Sequence, residues 1–449
     1  VSGSEELLAL ARRVAEQARP GEQVEAFVSR DRDTSVRVYE GEIEQLTSAQ
    51  SEGIGVRVIR DGRIGFAYAG VLDDAVVAEV LAEARDNAGF GSSDPWAGLA
   101  EPDGVAVPTL ELWSDDLASF AADDKVRLAL DLERRTLGLD RRIRVEEASY
   151  SDVLAEAAVA TSTGIAVHGR ESGCYVVVST LADDGDETHT GFGFSVGRSP
   201  ADLDPDKAAR EGAERATRLI GSTKPASGRV TVVLDPYVTA QFLSIIASTL
   251  NGESVLKGRS LFANRLGEQV APSFVTLVDD PTNPLAYTAS EVDGEGLASR
   301  RNLLIDGGVL RQFVHNAYSA RRAGVHSTGS AVRGGFKSTP GVGCRAIQLA
   351  PGTRSQADLV RDVGDGVLVQ QVLGLHSGVN PVSGDFSSGA AGLRITGGEL
   401  GAPIREFTIA STLQRMLLDI REVGGDLDWL PMSAVGMSLV IEGISLSGS

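Results

Sequence analysis

Five histidines, two cysteines and 62 Asp plus Glu side chains are the chain's store of titratable chemistry. The histidines are His168, His189, His315, His326 and His376. No two are three or four residues apart, so no helix can present a pair of imidazoles to a metal ion. Cys174 and Cys344 each lie beside apolar residues and read as buried thiols, not as a disulfide framework. Ser254 precedes Lys257 by three residues, which would set an amine beside a hydroxyl nucleophile. The companion Ser-Asp-Asn and Lys-Thr-Gly motifs are absent, so the spacing is coincidence. His376-Ser377-Gly378 reads as a polar turn. The stretch GSAVRGGFKST at 329–339 sets Lys337 two positions too late for a phosphate cradle. The acidic cluster at 183–187 lacks the spacing and the late Glu of a calcium loop and reads as a solvated turn.

Two other stretches organise the chain. Residues 236–260 read as a helix ending in a Gly-containing turn. Val238, Phe242, Ile245, Ile246 and Thr249 fall at helical spacing on one apolar face. Asp235 is placed to cap the helix, with Pro236 just inside it. The turn carries Asn251, Gly252, Glu253, Lys257 and Gly258. The second stretch is the Gly-rich run 378–392, GVNPVSGDFSSGAAG. Its glycines permit positive φ and close backbone approach.

Both stretches, with 395–427 and the Thr328-Gly329-Ser330 loop, resemble the TldD/TldE (PmbA) family, and the resemblance extends over nearly the whole chain. In the TldD-type subunit the same helix carries a HExxxH zinc motif followed by a Leu-Glu-Gly-Asp turn. Here the turn is similar: Leu250-Asn251-Gly252-Glu253, then Lys257-Gly258-Arg259-Ser260. On the family pattern the two His positions hold Leu243 and Ser248, and the general-base position holds Ser244. Leucine has no donor atom for zinc, and a serine hydroxyl is a poor substitute for imidazole. The family's third ligand is a Cys near the C-terminus, and no Cys follows Cys344.

The chain therefore resembles the TldE (PmbA) type. That resemblance implies a non-catalytic subunit of a heterodimeric metallopeptidase that binds no cofactor itself, with zinc in a TldD-type partner and a homodimer when alone. It implies a peptide substrate in an enclosed chamber, for proteolysis, peptide natural-product processing or, historically, gyrase modulation. Asn251, Glu253, Lys257, His376, Asn380 and Asp385 are the expected chamber or substrate contacts. The alternatives are a stand-alone peptide-binding or regulatory protein, or a divergent metal-free enzyme.

The elements that must position these residues follow from the rest of the chain. At 449 residues, about three domains of ordinary size are expected. Residues 4–18 read as a helix capped by Ser4. Val24, Ala26 and Val28 alternate, then Val36 and Val38, and Asp61-Gly62 marks a hairpin. A helix over 73–87 completes a first α+β unit, 1–108, ending in a Gly/Pro/Ser/Asp-rich linker at 88–110. A second α+β unit, 109–225, has a helix over 114–137 with Leu117, Phe120, Val126, Leu130 and Leu137 available for burial. Strand-like text over 143–196 and a helix over 204–220 follow. The third unit, 226–449, is expected to be a β-rich closed or wrapped sheet with a helix near 411–422. Its sheet edges would need covering by a homologous domain. The fold class is thus α+β.

The formal charge of −20, with no long Lys/Arg run, disfavours direct nucleic-acid binding. No run reaches 18 apolar residues, so no membrane span is expected. The N-terminal stretch reads as an amphipathic helix, not a signal peptide, and a cytoplasmic location is expected.

Overall fold

The computed structural model describes residues 3–185 and 187–448. Asp186, one member of the acidic 183–187 turn, lies outside the described residues, as do Val1, Ser2 and Ser449.

The alternating text of the first two units folds into one sheet. Its strands are β1 (Glu22–Tyr39), β2 (Glu42–Arg60), β3 (Arg63–Ala69), β4 (Ile143–Thr161), β5 (Ala166–Asp184) and β6 (Glu187–Gly197), ordered β3-β2-β1-β4-β5-β6. All pairings are antiparallel. Glu40-Gly41 and Asp61-Gly62 close the β1–β2 and β2–β3 hairpins with positive φ at all four residues. That conformation matches the right-handed twist of the flanking strands. β1 runs through both of its apolar segments. Val24, Ala26 and Val28 pack with the helices Gly3–Ala15 and Asp74–Phe90, whereas Val36 and Val38 pack beside the helix Ala122–Leu137. β1 pairs with β4 from Glu25↔Thr161 to Val38↔Ala148, so the sheet crosses from the first unit into the second without a break. Residues 42–51 of β2 are exposed, and β3 pairs with β2 only from Ile54 onward, which leaves an open edge.

Several local expectations change. The first helix begins at Gly3, so Ser4 sits inside the first turn, buried, with Oγ 3.1 Å from His168 Nδ1. The 114–137 helix is split into Asp115–Ala118, capped by Ser114, and Ala122–Leu137, and Leu137 is exposed.

The third unit is built on β7 (Gly228–Leu234). Its sheet runs Glu399–Thr412, Asp385–Thr396, Gly366–Leu373, β7, Leu439–Ser447, Ile420–Val423. Thr408–Ala410 also pair with Ser445–Ser447, which closes the sheet on itself. A bulge between Ile441 and Ile444, with Gly443 at φ 70°, interrupts the pairing of the last strand with β7, and its other edge pairs first with Ile420–Val423 and then with Thr408–Ala410. Closure satisfies those edge groups internally, while Ile420–Val423 remains an outer strand paired only with Leu439–Ser447. The helix expected near 411–422 is only Leu413–Leu418, because Ile420 is drawn into pairing with Ile441. The helix Pro236–Thr249 packs into the main core of this unit through Val238, Phe242, Leu243 and Ile246.

A buried ionic group joins the two halves. Arg57 of β2 contacts Glu25 of β1 at 2.6 Å and Glu295 at 3.6 Å. Glu295 Oε2 in turn accepts from Ala317 N at 2.8 Å.

Candidate functional site

The site is built outward from the helix Pro236–Thr249. Asp235 Oδ1 accepts from Tyr237 N at 3.2 Å, and Pro236 occupies the first turn, where no N–H is required. The ring of Tyr237 packs on Phe192 of β6, with centroids 4.6 Å apart, which fixes the helix entry against the central unit. The helix is buried around most of its circumference. Gln241, Ser244, Ile245 and Ser248 form the less buried stripe, at the i, i+3, i+4, i+7 spacing of one face.

This geometry separates the three motif positions. Leu243 is fully buried, at 0% exposure, and belongs to the core. Ser244 Oγ donates to Ala240 O at 2.9 Å, and Ser248 Oγ donates to Ile245 O at 2.7 Å. Both hydroxyls are therefore committed to the helix's own carbonyls. An apolar side chain in the core and two back-bonded serines do not fit a zinc ion. Among the described residues, no group of three or more His, Cys, Asp or Glu is disposed to hold a metal.

The turn after the helix is rigid. Asn251 Oδ1 accepts from Ser254 N at 3.1 Å, capping the helix Gly252–Leu256, while its Nδ2 donates to Val342 O at 2.6 Å. Gly252 lies flat against the ring of His315, leaving no room for a Cβ. His315 Nδ1 is 3.1 Å from Ser319 Oγ, and burial pushes its pKa below the usual imidazole range, which favours the neutral ring. Glu253 and Lys257 form an ion pair with each other at i, i+4. Lys257 is followed by Gly258 at φ 66°, which turns the chain away.

The loop carrying His376 borders the same helix. Leu375 shares a small apolar hollow with Val238, Gln241 and Phe242. His376 itself is exposed. Leu261 N donates to Pro381 O at 3.1 Å, tying the segment after the turn to the Gly-rich run. Asn380 Oδ1 accepts from Val382 N and Ser383 N at 2.9 and 3.2 Å, and Ser383 Oγ donates to Asp385 Oδ2 at 2.6 Å. Asn380 and Asp385 are thus occupied in shaping their own turn. Of the expected contact residues, His376 remains the most available, and Leu373 (62%), three residues before it, and Val382 (48%), six after it, are exposed as well.

Gly193-Phe194-Ser195-Val196-Gly197 has the spacing of a nucleophile elbow. The structure places it inside β6, where Ser195 Oγ accepts from Asp204 N at 2.9 Å. It is not on the sharp strand-to-helix turn that the chemistry requires. Cys174 is buried and Cys344 half-buried, and both are free thiols.

Comparison with known proteins agrees with this architecture. Residues 24–88 match a model of PmbA/TldA metallopeptidase domain 1, residues 115–220 the central domain, and residues 227–448 the C-terminal domain. The chain is 27% identical over 409 residues to the metalloprotease PmbA of Escherichia coli O157:H7, covering 90% of this chain and 88% of that one. It is 25% identical to a metalloprotease of Methanothermobacter thermautotrophicus, covering 88% of this chain and 86% of the relative. The crystal structure of TldE from Thermococcus kodakarensis superposes with a TM-score of 0.90 at 23% identity over 100% of both chains, a likeness of fold. A Thermotoga maritima protein named as a candidate modulator of a DNA gyrase gives a TM-score of 0.88 at 25% identity, with 99% of each chain covered.

Proposed function

The chain belongs to the PmbA/TldA metallopeptidase family, and from that premise we propose that it is the TldE/PmbA-like, non-catalytic subunit of a heterodimeric peptidase. Zinc resides in a TldD-type partner, and this chain shapes the chamber in which a peptide is cut or processed. The observation that carries the reading is Leu243. A residue without a donor atom stands at a ligand position and is packed wholly into the core. The back-bonding of Ser244 and Ser248 supports the same reading.

The partner surface is assigned to the face carrying Leu373, His376 and Val382, where large apolar side chains stand exposed beside a polar loop. A homodimer through this face is the state of the chain alone. The cytoplasm is the proposed compartment, in keeping with two free thiols.

The test is to purify the chain with and without a TldD-type protein from the same source and assay hydrolysis of short peptides. The reading requires activity only from the mixture, eluting as one heteromeric species. A chain that ignores every TldD-type protein and still binds peptides would instead be the stand-alone binder.

A further inference from the structure

A second cleft, of about 370 Å³, lies between the helix Pro205–Thr217 and the third unit, at the capped end of the helix Pro236–Thr249. Its volume is within the range of small-molecule sites. Five carboxylates border it, Glu211, Glu214, Asp235, Asp426 and Asp428, against the three cations Lys207, Arg215 and Arg218, an excess of two negative charges. The cations are already engaged. Lys207 Nζ is 2.6 Å from Asp428 Oδ1 and 3.7 Å from Glu211. Arg215 is 3.2 Å from Glu211 and 3.7 Å from Asp235, donates to Phe192 O at 2.8 Å and lies over the Phe192 ring. Arg218 pairs with Glu214 at 2.7 Å.

Gln370, on the strand Gly366–Leu373, gives an independent observation. It lines the cleft at 2% exposure, and its buried side-chain Oε1 has no hydrogen-bond partner among the described residues. A buried amide is ordinarily satisfied, so an unpaired one in a polar cleft points to a ligand. The surplus of acceptors specifies donors and positive charge. The carboxylates are not arranged as a metal cage, since no such group occurs among the described residues.

We propose that this cleft binds a primary ammonium group, held by the carboxylates of Asp235 and Asp428 with the amide of Gln370 as the neutral acceptor. An ammonium presents three donors and one positive charge, which matches that set. All three holding groups belong to the third unit, and the helix Pro205–Thr217 of the central unit forms the facing wall of the cleft.

Two sources of this chemistry are distinguishable by calorimetry on the full chain. The probes are 1,4-diaminobutane, tetra-alanine with a free N-terminus, and N-acetyl tetra-alanine. Binding of the free peptide but not of its acetylated form or the diamine identifies a peptide N-terminus. Binding of the diamine identifies a free alkylamine. Gln370→Met, close in shape and without the amide, weakens the bound probe about tenfold, the loss of one charge-assisted hydrogen bond. Asp428→Asn, at a less buried position, weakens it at least as much and leaves Lys207 to repel the amine. Circular dichroism establishes that each variant is folded, and either folded variant suffices. No heat with any probe at about 10 mM, well above ordinary ligand affinities, overturns the proposal. So does unchanged affinity in both folded variants.

Discussion

Arg333 Nη2 stands 2.5 Å from Glu25 Oε1, joining a loop of the third unit to the first strand of the chain across 308 positions. Both side chains are almost wholly buried, and the Arg333 guanidinium also lies over the Phe27 ring at 4.7 Å. With Arg57 and Glu295 they form a charge-balanced group, two carboxylates and two guanidiniums, buried where the N-terminal sheet meets loops of the third unit.

Removing one member of such a group leaves an uncompensated buried charge. Arg333→Ala is expected to destabilise the chain by about 3–5 kcal/mol. Burial by itself would raise the pKa of Glu25, but Arg333 and Arg57 outweigh it and hold the carboxyl below its usual range. The stability contributed by Glu25 is therefore complete above the ordinary carboxylate value and is lost as pH falls through its lower native value. Urea titrations of wild type and Arg333→Ala should differ most at neutral pH and converge in acid. A constant difference down to pH values below the carboxylate range would contradict this.

Asp293, at the same junction, behaves in the opposite sense. Burial, then the neighbouring Glu295 charge, push its pKa up to about 7, against three backbone N–H donors from Glu295, Leu297 and Ala331. A raised carboxyl contributes stability that is present below its ordinary value and is lost as pH rises through the native one. Asp293→Asn should remove this decline. The melting temperature of wild type, relative to the variant, should fall between about pH 4 and pH 8. Parallel curves would show that Asp293 does not titrate in that window.

Gly252 meets His315 so closely that any Cβ must displace the ring. The ring is held by Ser319 and cannot yield cheaply. Gly252→Ala is expected to cost about 1–3 kcal/mol, as overpacking does. The double variant with His315→Ala should recover part of that cost, which a double-mutant cycle from chemical denaturation measures.

The purified chain should carry no stoichiometric zinc by elemental analysis after gentle dialysis. Restoring the motif as Leu243→His, Ser244→Glu and Ser248→His should not restore a site, because position 243 faces the core. The buried imidazole should cost about 2–5 kcal/mol, the range for losing a core leucine. Robust peptide hydrolysis by the triple variant alone would sink the non-catalytic reading.

The assigned partner face predicts an effect confined to assembly. Leu373→Asp, at an exposed position, should leave the unfolding free energy within about 0.5 kcal/mol of wild type and abolish formation of the heteromer with a TldD-type protein. Size-exclusion chromatography with light scattering reads this directly. Undiminished assembly would move the interface elsewhere, with the open edge of β2 at 42–51 as the next surface to probe.

The sequence by itself determined what is local. Asp235 and Pro236 start the helix, because capping involves neighbours in the chain. Asp61-Gly62 makes its hairpin, because its positive φ values are set by the turn residues themselves. The absence of donor chemistry at Leu243 was legible, because it follows from residue type. What the tertiary structure decided is long-range. Alternation in β1 says which side chains share a face, but not that one strand would serve two cores and join two units through β4. A strand's pattern likewise does not name its partner, so a closed or wrapped sheet was legible but the closing pairs between Thr408–Ala410 and Ser445–Ser447 were not. The depth of Leu243, the commitment of Asn380 and Asp385 to their own turn, and the meeting of Glu25 with Arg333 each depend on segments distant in sequence. Burial and charge pairing are properties of that assembly, and they select which of the chain's polar residues remain available for chemistry.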